Sequence, residues 1–442
     1  MSRPQNSQRR VVISGMGILS PLGIGADAFW GTLASGESGI RKIDLMSYSA
    51  APRNVGGEVR GFDDSVARKL VPKKQRKSVR MMCREIQLGA VAAVLALEHS
   101  GLDLDAIDHD RFGVDFGANL MYSPPDVLRE ACLRCVNEDD PSHTFHFDEW
   151  GDYGMQGLEP LWLLKYLPNM PACHIGIFVD AHGPNNSITL DEASANLVLG
   201  EASRVIGRGD ADIMMAGTTG TRLHPVKSIH AALWDELADA DGPPETWCRP
   251  FDKNRNGQLL AEGACAFVLE EEASARSRNA TVYGTILGAA SSCVIGPGGQ
   301  PHIRQALAGA MQRAIRDAGI QPRDVGHVNA HGLSERVCDR EEALAILDVF
   351  GETAADVPVT ALKSYLGNAG SACGTLELAG SLLGLKNGVI PATLNYDTPD
   401  PQCPINVVHT EPTTTTNGIF LKINVTRIGQ ASALIVAAEQ SP

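Results

Sequence analysis

No stretch of this chain approaches the roughly eighteen uninterrupted apolar residues that a membrane-crossing helix needs. The first ten residues, Met1 to Arg10, are polar and lack the apolar core of a secretory leader. Both absences lead us to expect a cytoplasmic protein that does not enter the membrane. Positive charge is scarce: 38 Lys and Arg stand against 52 Asp and Glu, a formal net charge of -14 with a pI near 5.3. Nucleic acid or an anionic membrane would meet a repelling overall field, so neither is an expected partner. A disulfide framework is also missing, because ten cysteines in 442 residues without a leader read as buried or free thiols. Cys132 and Cys135 make a Cys-x-x-Cys pair, but no second pair accompanies it, and a structural zinc needs four ligands. Between Cys173 and Cys248 there is no cysteine at all.

What is present is the composition of a globular, enzyme-like protein: 43% hydrophobic, 20% charged, with 45 Gly and 25 Pro. The length exceeds one ordinary domain, so two domains or one large duplicated α/β body with a sizeable core is expected. Val11 to Ser14 reads as a strand that ends in a tight turn at Gly15-Met-Gly17. The third glycine of a dinucleotide fingerprint would fall on Ser20, with Pro21 behind it, so a nucleotide loop is a weak reading. Apolar residues at Ile86, Ala90, Val91, Val94 and Leu95 predict a helix over 81–97, stopped by Gly101. Residues 112–116 alternate as a buried strand. Residues 122–166, with Pro124, Pro125, Pro141 and Pro160 and several aromatics, read as a long insertion capping the sheet. A strand over 174–179, a turn at 183–186, a helix over 193–207 and a strand over 211–217 follow. The second half repeats this grammar with a strand over 281–287, helices over 303–318 and 340–350, and strands at 327–329 and near Val359 and Ile419. Such alternation predicts parallel sheets covered by helices on both faces. The break falls near 273–279, giving halves 1–275 and 276–442, with no repeat visible in the sequence itself.

Five phrases occur in order: Arg10-Val-Val-Ile-Ser-Gly-Met-Gly17; Arg249-Pro-Phe-Asp252 with Arg255 and Gly257; Glu262-Gly-Ala264; Asn329-Ala-His-Gly332; and Lys363-Ser364 before Gly367. Together they resemble the elongating β-ketoacyl-(acyl carrier protein) synthases of the thiolase superfamily, from about Arg9 to Val436. The resemblance implies an α/β thiolase fold: two similar βαβ-type halves in a five-layered αβαβα body, usually dimeric. It also implies extension of an acyl chain with malonyl carried on an acyl carrier protein. Neither a cofactor nor a metal is implied. Such chemistry needs a thiolate to hold the acyl chain, hydrogen-bond donors for the enolate left by decarboxylation, and a dry tunnel.

The chain departs from that family at the residues that matter most. Counting back from Gly209-Asp-Ala-Asp212, the nucleophilic cysteine of the family maps onto Glu192, at a strand-to-helix elbow. A carboxylate at a helix N-terminus gains about 0.3 to 1 kcal/mol from the dipole, so capping alone accounts for Glu192 as well as a specific function does. Ser194 is a poor substitute nucleophile, since two helical residues turn it about 200 degrees away. His331 matches the first active-site histidine of the family, and Asn368 stands where the second would be, five residues after Lys363. An Asn amide still donates, and a His and Asn pair resembles that of initiating synthases. Lys363, Glu342 and Asp339 match the buried polar network that orders these loops. Where the family has a Gly-Phe-Gly-Gly gate, residues 424–430 read Asn-Val-Thr-Arg-Ile-Gly-Gln.

The resemblance therefore implies a non-condensing member, like the chain-length-factor subunits that pair with an active ketosynthase paralogue. A homodimer is the alternative assembly, and a malonyl-carrier-protein decarboxylase using His331 and Asn368 the alternative activity. A basic cluster in this acidic chain, Arg68, Lys69, Lys73, Lys74, Arg76, Lys77 and Arg80, sits at a location resembling the region where the family docks its acyl carrier protein, a solvated helix face being the alternative. The aromatics Trp150, Tyr153, Trp162 and Tyr166 are expected either to line a shared tunnel or to pack the core.

Overall fold

The computed structural model describes residues 9–47, 49–136, 142 and 144–439. Residues 1–8 of the polar N-terminus, and Pro141 of the insertion, lie outside the described residues.

The first strand, β1 (Val11–Ser20), does not turn at Gly15 but runs buried for its full ten residues. Its glycines serve packing. A Cβ on Gly17 would lie 2.0 Å from the carbonyl oxygen of Ala92, and one on Gly15 2.5 Å from Cβ of Ser100. Helix α1 (Arg84–Ser100) thus lies directly on the strand backbone, and it ends at Gly101 in a left-handed cap with φ 61. No phosphate loop forms at these glycines, since they sit inside a sheet.

After β2 (Phe112–Ala118), residues 174–179 belong not to a strand but to helix α2 (Met170–Val179). Pro171 sets its first turn and Asp180, at φ 54, ends it. A short run apolar on all sides carries no periodicity that distinguishes buried helix from buried strand. The chain continues through β3 (Asn185–Asn186), α3 (Ser194–Gly207), β4 (Ile213–Thr221) and β5 (Glu262–Glu271). The expected break at 273–279 falls on a short helix, Glu272–Ser277. The second half holds β6 (Gly284–Cys293), α4 (Ile303–Asp317), β7 (His327–Asn329), α5 (Arg336–Phe350), β8 (Pro358–Thr360), α6 (Cys373–Lys386), β9 (Asn406–Val407), β10 (Ile419–Val425) and β11 (Gln430–Ala438).

These strands, with the short Gly23–Ile24 strand beside β1, form one 12-stranded sheet in the order β9-β8-β7-β10-β11-β6-β1-β5-β4-β2-β3. The sheet is mixed rather than parallel. In the first half β3, β2 and β4 are parallel, then β5 and β1 pair antiparallel. In the second, β8, β7 and β10 are parallel, then β11 and β6 pair antiparallel. The duplication invisible in the sequence is therefore plain in the topology. The connection from β10 to β11, residues 426–429, is far too short for a crossover, which forces the antiparallel step.

Helices α3 and α6 pack between the two half-sheets, α1 and α2 cover the first half from outside, and α4 and α5 cover the second. This is the five-layered thiolase body. The buried apolar residues follow those layers, with Val198 and Leu199 of α3 and Leu376 and Leu382 of α6 in the central cluster and separate clusters under each outer layer. Among the described residues no helix is long and apolar enough to cross a membrane.

Candidate functional site

The tips of the two half-sheets bring the site residues together. Beyond β7 the chain runs through Ala330, His331 and Gly332, and two carboxylates of α5 hold it there. Glu342 accepts from the main-chain N–H of His331 at 2.5 Å and of Gly332 at 2.8 Å. Asp339 accepts from Leu333 at 2.9 Å, Ser334 at 3.1 Å and Phe251 at 2.8 Å. The Arg249–Asp252 phrase is thereby tied to the histidine loop. Burial pushes both carboxyls up to about 7.

Lys363 opens a single-turn helix, Lys363–Leu366, that Gly367 ends at φ 76. Its Nζ donates to the His331 carbonyl at 2.7 Å, to Oε1 of Glu377 at 2.6 Å and to Nδ1 of His331 at 3.2 Å. Glu377 also pairs with Lys422 at 2.7 Å. Burial, then the Lys363 and Lys422 charges, hold the His331 ring well below its ordinary value, so it is neutral. With Nδ1 accepting, the proton stays on Nε2, which is buried and has no hydrogen-bond partner among the described residues.

The second cluster is built on the elbow. Asp191 sits at φ 41, turning the chain sharply into α3, and Ser194 Oγ accepts from the Leu190 N–H at 2.9 Å. Glu192 does not cap the helix, whose N-terminus has no side-chain cap hydrogen bond. Its Oε1 instead accepts from Nδ2 of Asn368 at 2.9 Å, with Arg222 3.8 Å away. The other hydrogen of the Asn368 amide goes to Oε1 of Gln258 at 2.6 Å, while its Oδ1 accepts from the Gly370 N–H at 2.9 Å and the Cys373 thiol at 3.2 Å. Every donor and acceptor of that amide is occupied. Arg222 in turn binds Gln258 at 2.7 Å and Asp235 at 2.5 Å, and Gln258 donates to Glu335 at 2.8 Å.

Glu192, Arg222 and Gln258 line a cavity of about 470 Å³, together with Asp191, Asp235 and Glu335. His331, Asn368 and Lys363 do not line it and are each 1% exposed. The cavity wall thus combines paired charges with apolar side chains, among them Leu120, Trp234, Ile303, Leu333 and Val337. Thr426, Arg427 and Ile428 close another side, and Arg427 stacks 5.3 Å over the Trp234 ring. Of the described residues of the insertion only Tyr122 reaches the cavity; Trp150, Tyr153, Trp162 and Tyr166 do not. Tyr166 packs instead against the apolar cluster shared by α1, α2 and the first half-sheet, and Tyr153 is 55% exposed.

Sequence reading passed over Arg222, Gln258, Glu377, Cys373 and Lys422. Gln258 carried a signal, following Gly257 in a quoted phrase; the others are scattered residues in or beside strands and helices with none. Cys132 and Cys135 are free thiols, the first half-buried and the second buried.

All seven basic residues of the cluster are exposed. Arg68 and Lys69 lie on the helix Asp64–Leu70, and the rest follow in the turns that lead into α1. The first turn of α1 carries Glu85, which accepts from Lys227 at 2.6 Å, and Lys227 lines the cavity. None of the seven basic side chains lines the cavity itself.

Comparison with known proteins agrees with this architecture. Residues 8–275 match the family model for the beta-ketoacyl synthase N-terminal domain, and residues 283–397 that for the C-terminal domain. The chain is 32% identical over 410 residues to 3-oxoacyl-(acyl-carrier-protein) synthase 2 of Coxiella burnetii, covering 91% of this chain and 92% of that one. It is also 32% identical to the tetracenomycin polyketide synthase ketoacyl synthase alpha subunit of Streptomyces glaucescens, over 91% of each. Among solved structures, the ishigamide ketosynthase/chain length factor superposes with a TM-score of 0.82 at 24% identity, over 98% of this chain and 100% of that one, a likeness of fold.

Proposed function

Since the chain belongs to the beta-ketoacyl synthase family of fatty-acid and polyketide synthesis, we propose that it is a non-condensing member, a chain-length-factor-like subunit that bounds the acyl site of an active ketosynthase paralogue. One observation carries this reading: Asn368 gives both amide hydrogens away inside the protein, to Glu192 and Gln258. On this reading Glu192, which counting places at the family's cysteine position, is a carboxylate that consumes the donor an enolate would need. A carboxylate holds no acyl chain as a stable thioester.

A second reading is favoured by the Nε2–H of His331, the one donor of the pair without a partner among the described residues. Through it the chain would decarboxylate malonyl on a carrier protein without condensing. Glu192 opposes this, because a malonyl carboxylate would be placed beside a like charge. The assay is release of carbon dioxide from malonyl carrier protein. We expect no rate above background for the chain alone; turnover lost in His331→Ala would replace the first reading with the second.

In either role the carrier protein is acidic and the exposed basic cluster steers its encounter. Reversing Lys74→Glu and Lys77→Glu is expected to weaken carrier-protein binding about tenfold at low salt, an effect that fades as salt is raised. Equal affinity of variant and parent at low salt, by biolayer interferometry, would remove the cluster from the docking surface.

A further inference from the structure

One buried charge takes no part in the site described above. Asp115 on β2 is 1% exposed, and neither of its carboxylate oxygens has a hydrogen-bond partner among the described residues. A carboxylate taken out of water without a donor is unfavourable unless something supplies one. Asp115 lines a separate cavity of about 220 Å³. Two more carboxylates line it nearer the solvent, Glu201 of α3 with its side chain 38% exposed and Asp210 with 52%. Val114, Val205 and Met214, all buried, give the same cavity an apolar wall. The base that lines it, Arg208, is already engaged, donating to Asp210 at 3.1 Å and to Glu201 at 3.3 Å. Three carboxylates thus face one guanidinium, an excess of two negative charges when all are ionised. Burial and then the Glu201 charge push the Asp115 carboxyl up to about 7, and a cation beside it would hold it ionised.

The cavity discriminates among cations. Among the described residues no group of three ligating side chains could hold a metal ion, and a divalent ion takes about six or more oxygens. A bare monovalent ion would leave the apolar wall uncovered. An alkylammonium suits both parts, because its three N–H groups donate to oxygens that lack a donor while its methylene stem lies on apolar side chains. One ammonium would leave the charge at the rim unmatched; two, one deep and one at the rim, match the excess.

We propose that this cavity binds a short aliphatic diamine, with one ammonium group on Asp115, the other at the rim formed by Glu201 and Asp210, and the stem on Val205 and Met214. Charge-assisted hydrogen bonds to an ionised acceptor are the strong ones, and Asp115 has both oxygens to offer. The site shares no residue with the cavity that Glu192 lines.

The test is isothermal titration of the full-length chain with diaminobutane at low ionic strength and pH 8, where Asp115 is ionised. Saturable binding at a single site is expected, with butylamine at least about tenfold weaker because the rim carboxylates gain no partner from it. Asp115→Asn, nearly isosteric, should lower the affinity for both amines at least about tenfold. Glu201→Gln should weaken the diamine and leave butylamine as it was, a split that a merely structural role for Glu201 would not produce. If Asp115→Asn does not accumulate as folded protein, that split decides alone. Heats that never saturate, or Asp115→Asn binding the diamine as tightly as the parent, overturn the inference. So does potassium chloride displacing the diamine at equal concentration, which would make the cavity a plain counter-ion site.

Discussion

Incubated with acyl carrier protein bearing a fatty acyl group, the purified chain is expected to gain no mass in intact-protein mass spectrometry. Each candidate acceptor in the site is disabled by its surroundings. Glu192 would give a mixed anhydride that water destroys. Ser194 is wholly buried, accepting from the Leu190 N–H and lying 3.3 Å from the Ser371 hydroxyl. Cys373 is the thiol that touches Asn368, but burial first, and the Glu377 and Glu192 charges after it, push that thiol up to about 12. Only about one molecule in 10⁵ would then be thiolate at pH 7. Glu192→Cys should change the outcome completely, because the new thiol sits at the elbow entrance to α3 with an amide hydrogen of Asn368 freed by the lost carboxylate. We expect a near-stoichiometric acyl adduct on that variant. Condensation should still lag a working ketosynthase by at least about tenfold, since Asn368 keeps its bond to Gln258. A stoichiometric adduct on the parent chain, or full condensation by Glu192→Cys alone, would refute the account of this site.

How much of this was legible beforehand depends on what kind of signal each feature leaves. α1, α3 and α4 were readable because three-and-four spacing of apolar residues is a direct imprint of a helix lying on a sheet. α2 was misread because an apolar run without polar punctuation has no period. Gly15 and Gly17 looked like turn residues, yet they are glycine so that α1 can touch β1, a contact between segments some eighty residues apart that no local pattern encodes. The same limit applies to the site. Glu192, His331, Lys363 and Asn368 were reached through ordered phrases, whereas their partners Arg222, Gln258 and Glu377 are fixed by tertiary contact alone. The capping role offered for Glu192 followed correctly from its place beside a helix N-terminus, but Asn368, 176 positions away in sequence, takes the carboxylate instead. Asp339 and Glu342 were recognised as a network, and the structure shows what that network does: five main-chain N–H groups of two loops converge on two carboxylates.

The largest effect on stability is expected at Glu377. This residue of α6 is fully buried between Lys363, 1% exposed, and Lys422, 0% exposed, at 2.6 and 2.7 Å. Two buried ammonium groups on one carboxylate form an unusual balance, and Glu377 holds it. Glu377→Gln keeps the volume and one acceptor but removes the counter-charge, leaving two like charges out of water. Breaking a buried ion network from one side costs about 3–5 kcal/mol, a large share of the 5–15 kcal/mol typical of a folded protein. The melting temperature should fall by at least about 5 °C, if the variant accumulates in soluble form at all. The pH dependence has a definite sign. Burial pushes the Glu377 carboxyl up, but the two lysines outweigh it and the net direction is down. Its contribution is therefore complete above the ordinary glutamate value near 4.3 and is lost as pH falls through the lower folded value. Parent and variant should differ most near neutrality and converge in acid. The triple change Lys363→Met, Glu377→Leu, Lys422→Met separates charge from packing, because apolar residues of similar volume replace a buried network at little cost or with a gain. It should melt within a few degrees of the parent, while His331 loses the Lys363 donor at Nδ1 and keeps only Asn424 Nδ2 there, at 3.3 Å. A Glu377→Gln variant as stable as the parent, measured by differential scanning calorimetry at pH 7, would show that these lysines do not depend on it.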